Sequence, residues 1–92
     1  MIEIVQFRPI KRNTLRGFFD IRLTELTMEI RGLTLHEALN GSHWIGMPSK
    51  SYTKTETGEL SWQNVVDIYD REKKRKFDRA VLDALKEFRG DE

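Results

Sequence analysis

Ninety-two residues, 38% hydrophobic and 34% charged, describe one soluble domain spanning residues 1–92, with room for a modest core. A net charge of +1 excludes a global electrostatic field, so any attraction for an anion has to be local. The absence of cysteine excludes disulfides, thiol catalysis and cysteine-ligated metals, and fits a reducing cytoplasm, where we expect the protein to work.

Residues 2–8 read as a first strand closed by Pro9. Glu3 and Gln6 interrupt this stretch, which is too short and too polar for a signal peptide or a membrane span. Residues 10–14 form a basic connection with Lys11, Arg12 and Asn13. Over residues 15–26 Phe19, Ile21 and Leu23 alternate with Asp20, Arg22 and Thr24, the period of two of a half-buried strand. Residues 28–35 form a third strand, with Gly32 marking a bulge. Asn40-Gly41 is a turn, because both residues tolerate positive φ. Trp44, Ile45 and Met47 make a short strand that Pro48 stops. Residues 49–58 read as a long polar loop and residues 62–69 as a further strand.

The last segment changes period. Phe77, Ala80, Val81, Ala84, Leu85 and Phe88 fall on one stripe of an amphipathic helix over residues 71–89, with Asp70 as N-cap and Gly90 as C-cap. About five strands and then one helix define an α+β fold with an antiparallel β-sheet. Phe18 beside Phe19, Trp44 beside Ile45 and Val65 beside Val66 put apolar residues on both faces of that sheet. One helix covers one face only, so we expect a homodimer.

Charge is distributed unevenly along the helix. Arg71, Lys73, Lys74, Arg75, Lys76 and Arg79 crowd its start against Glu72 and Asp78, while residues 80–92 are net acidic. This order opposes the helix macrodipole by about 0.3–1 kcal/mol per exposed charge, which points to an anionic partner. The bland alternative is a solvated face partly neutralised by pairs such as Glu72 with Lys76. Arg8, Lys11, Arg12 and Arg16 form a second basic group. Lys50 and Lys54 flank Tyr52 in the polar loop, an interleaving that suits single-stranded nucleic acid. Trp44 and Trp62 are stacking candidates, although tryptophan in a small domain is ordinarily core.

The tetrapeptide Met47-Pro48-Ser49-Lys50, a polar loop, Thr57-Gly58-Glu59 and the terminal helix follow one another in the order found in the SpoVG family, which the sequence resembles from Asn13-Thr14 onward. The family takes its name from a bacterial sporulation and septation protein. The resemblance implies a small β-sheet domain with a C-terminal helix, a homodimer, and site-preferring binding of DNA or RNA in bacterial regulation. The segment 50–58 is longer than the family pattern and residues 67–76 carry more charge, so contact residues are expected to differ.

Nothing reads as catalytic. His36 and His43 lack partners for a transition-metal site and read as surface histidines. Ser42-His43 and Ser49-Lys50 have no third group to orient them, no glycine loop for phosphate is present, and no carboxylate pair stands out. We therefore expect a non-enzymatic nucleic-acid-binding regulator, without metal, cofactor, small-molecule substrate or membrane. Its contacts would be Lys50, Lys54, Arg71, Lys73, Lys74, Arg75, Lys76 and Arg79. The alternative is a protein–protein adaptor, or a structural accessory protein of a phage or plasmid.

Overall fold

The computed structural model describes residues 1–89. It is an α+β fold: six antiparallel strands in two sheets, then one helix. Strands β1 (Ile2–Arg12), β2 (Leu15–Leu23), β3 (Met28–Glu37) and β4 (His43–Gly46) form one sheet in sequential order. Strands β5 (Ser49–Thr53) and β6 (Leu60–Asn64) pair only with each other, and helix α1 (Arg71–Phe88) ends the fold.

The apolar alternation sets the register. Cross-strand rows Ile4–Ile21–Ile30, Phe7–Phe19–Leu33 and Gly17–Leu35–Ile45 lie on one face. Val81 and Leu85 of α1 are buried against that face, with Phe77, Leu82 and Ala84 around them. α1 touches both edge strands, β1 and β4, and so crosses the sheet. Gly17 is needed where it stands, since a Cβ there would run into the Phe7 ring.

The Gly32 bulge is present, with two β3 residues opposite Asp20 and φ +83° at the glycine. Its freed N–H donates to Asp20 Oδ1 at 3.0 Å, and Gln6 Nε2 donates to Asp20 Oδ2 at 2.9 Å. The buried carboxylate thus has partners for both oxygens.

Several boundaries differ from the sequence reading. β1 runs through Pro9 to Arg12, because an edge strand tolerates a missing N–H and a register shift follows the proline. The second strand stops at Leu23, and Thr24–Leu26 forms a 3-10 turn closed by Thr27 at φ 47°. The polar loop of residues 49–58 is instead strand β5 plus the start of a hairpin loop. Its Ser/Thr-rich pattern lacks apolar alternation because both faces meet solvent. The strand read over residues 62–69 is confined to β6. Beyond it the Val65 and Val66 N–H groups both turn to the Pro48 carbonyl, at 2.8 and 3.5 Å, and the partly buried Val66 packs against the core. Asp70 caps α1 as expected, accepting from the Lys73 N–H at 2.9 Å. The expected cap Gly90 lies outside the described residues.

The face of the sheet opposite α1 carries Phe18 and Trp44, as expected of a partly apolar face, whereas Val65 and Val66 lie beyond the strands. Opposite α1 the rows read Glu3–Arg22–Glu29, Gln6–Asp20, Arg8–Phe18–Thr34–Gly46 and Arg12–Leu15–His36–Trp44. That face is mostly polar. Further exposed apolar side chains lie after β4, among them Leu60, Trp62, Val65 and Tyr69.

Candidate nucleic-acid interface

Helical spacing sorts the basic residues of α1. Arg71, Arg75 and Arg79 fall at i, i+4 and i+8 and form one exposed row, with Lys76 beside it and Lys73 further round. None of these five cations has a carboxylate within 4 Å among the described residues. The Glu72–Lys76 pair that would have neutralised part of the stripe is not formed. Arg75 and Arg79 rim a shallow hollow with His43, Leu82 and Asp83.

Lys74 is placed apart from this row. Its Nζ donates to Asp78 Oδ1 at 2.5 Å and to the Ile45 carbonyl at 3.0 Å, and its side chain is only 25% exposed. Asp78 Oδ2 in turn accepts from the Ile45 N–H at 3.3 Å. Ile45 pairs with Leu35 on one side, so this clamp closes the free edge of β4.

Lys50 and Lys54 stand on the hairpin. The register Lys50–Gln63, Tyr52–Ser61 puts Lys50 and Tyr52 on one face, and Lys54 continues that spacing at the loop, paired by backbone to Glu59. Trp62 and Leu60 share the other face with Ser51 and Thr53 and are 66% and 65% exposed. Trp62 is therefore not core. The hairpin makes no extensive contact with α1, so the basic residues fall into two groups: the helix row and the hairpin pair.

The histidines also differ from one another. His36 is fixed by hydroxyls on both nitrogens, Thr14 Oγ1 at 3.0 Å from Nδ1 and Thr34 Oγ1 at 2.9 Å from Nε2. Burial pushes its pKa below the ordinary 6.5. His43 is exposed, with Nε2 3.3 Å from Glu37 Oε1. Among the described residues no three His, Cys, Asp or Glu side chains gather as a metal site would require. No helix among them is long and apolar enough to cross a membrane.

The fold and these surfaces define an antiparallel-sheet α+β domain that carries exposed cationic and aromatic side chains. Comparison with protein-family models, curated proteins and solved structures finds no match to this chain.

Proposed function

We propose that the protein is a non-enzymatic nucleic-acid-binding regulator that works as a homodimer in the bacterial cytoplasm, in keeping with its sequence resemblance to the SpoVG family. The observation that carries the reading is the row Arg71, Arg75 and Arg79, exposed on α1 and free of carboxylate partners among the described residues. Unpaired guanidiniums at helical spacing suit a phosphate backbone, which they neutralise with release of counterions. Lys76 and Lys73 extend the row, and Lys50 and Lys54 add a separate contact beside Tyr52.

The dimer rests on the hairpin. A two-stranded hairpin is marginal in water by itself. Leu60 and Trp62 give it an exposed apolar side that a second copy would cover, leaving the Lys50–Tyr52 side for nucleic acid. Adaptor binding by strand addition is the weaker alternative. The Lys74–Asp78 clamp blocks the β4 edge, and Pro9, two register shifts and three basic residues break up the β1 edge.

Fluorescence anisotropy with labelled DNA and RNA at two salt concentrations tests the reading. Wild-type binding should weaken steeply with salt, with a log–log slope of about −0.9 per neutralised phosphate on duplex DNA. The Arg75→Glu/Arg79→Glu variant should lose at least tenfold in affinity while keeping its helical circular dichroism. Unchanged binding in that variant removes the helix row from the account, and no binding by wild type at low salt removes the function.

A further inference from the structure

We infer that the open face of the four-stranded sheet is a second nucleic-acid site that stacks unpaired bases, making the preferred ligand a single strand. This rests on the function proposed above and adds a surface apart from the helix row.

The face opposite α1 has two unlike ends. At one, Arg22 lies 3.0 Å from Glu29 and 3.7 Å from Glu3, and Arg31 lies 2.8 Å from Glu29. These charges compensate each other and leave little for a ligand. At the other end, the adjoining rows Arg12–Leu15–His36–Trp44 and Arg8–Phe18–Thr34–Gly46 run from β1 to β4. Three strand spacings make each row about 14 Å long. Arg8 and Arg12 end the rows at the β1 edge and have no carboxylate within 4 Å among the described residues.

The aromatic part is held in place. The Trp44 and His36 rings stack with centroids 5.2 Å apart and planes at 7°. The two threonine hydroxyls fix His36, and Gly46 makes room for one of them, since a Cβ there would run into Thr34 Oγ1. Trp44 is 39% exposed and Leu15 and Phe18 are half-buried, so apolar surface remains accessible between the rings and the arginines. Cations at one end and fixed rings at the other match an anionic backbone with planar bases. Only unpaired bases can offer their faces to such a surface, because a duplex keeps them stacked inside.

Trp44 and Trp62 are the only tryptophans in the chain, so a Trp62→Phe variant reports on Trp44 alone. Its fluorescence would be followed against oligo-dT, oligo-U, a duplex of equal length, and heparin as a polyanion without bases. The expected result is quenching by the single strands and little by the duplex or heparin. Trp44→Leu should weaken single-strand binding by about 5- to 150-fold, the range for one lost stack, Arg8→Ala/Arg12→Ala should weaken it and lower its salt dependence, and both should change duplex binding less. Trp44→Phe should retain most of the affinity. The exposed arginine pair keeps the test valid if Trp44→Leu does not fold. Single-strand binding that leaves Trp44 fluorescence unchanged, equal quenching by heparin, or wild-type affinity in the arginine variant overturns the platform while the helix row stands. No binding of any nucleic acid by wild type overturns both.

Discussion

The four-stranded sheet and the β5–β6 hairpin use the same antiparallel pairing but meet water differently. In the sheet Phe19, Ile21, Leu33 and Ile45 are almost fully buried, and α1 seals the face they share. In the hairpin no side chain is buried; Ser61 alone is partly covered and Trp62 stands in solvent. Backbone hydrogen bonds alone do not distinguish a stable body from an arm. Apolar area removed from water does, at about 25 cal/mol per Å2. One region is therefore a packed body, and the other stands exposed to solvent on both faces.

The contrast is sharpest in a pair of truncations. Phe19→Ala should cost about 3–5 kcal/mol of stability, because it empties the centre of the sheet core. Trp62→Ala removes a larger ring yet should change the stability of the monomer by less than about 1 kcal/mol. Thermal melts at low protein concentration check both. A large loss in Trp62→Ala there would mean that the hairpin is stabilised from within the chain.

A smaller effect is expected where the scaffold closes its own edge. Asp78→Ala leaves the half-buried Lys74 ammonium and the Ile45 N–H short of a partner, at a cost of about 1–3 kcal/mol. Urea denaturation measures the loss, and amide exchange at Ile45 should quicken more than at Leu33. Equal protection at both sites would show that β4 does not need the clamp.

The smallest effect belongs to His36. Its pKa is lowered by burial, so the unfolded chain takes up the proton more readily than the folded one. The stabilisation is fully present above the ordinary value of 6.5 and is lost as pH falls through the lowered folded value. His36→Gln should flatten that part of the stability–pH curve. An unchanged slope would assign it to other groups.

The helix and the core strands were legible in the sequence because each shows a strict period, 3.6 at Phe77–Phe88 and two at Phe19–Leu23. Asp70 and Gly32 were legible too, since capping and bulge formation are local events. Strand β5 was read as loop and β6 with shifted bounds, because an arm solvated on both faces has no apolar alternation to read. The inward turn of Lys74 was not legible for the complementary reason: its partner Ile45 lies 29 residues away, and charge patterning does not say which cation turns inward.

What the chain determined by itself is therefore what local chemistry can dictate: an antiparallel sheet, an amphipathic helix and a cluster of basic residues at its start. Tertiary structure alone decided which cations stay exposed, which sheet face remains open, and that Arg8 and Arg12 share rows with Phe18, His36 and Trp44. The physical reason is register. Strand pairing brings together residues far apart in sequence, and two bulges and a proline within one strand shift that pairing by amounts no periodicity reveals.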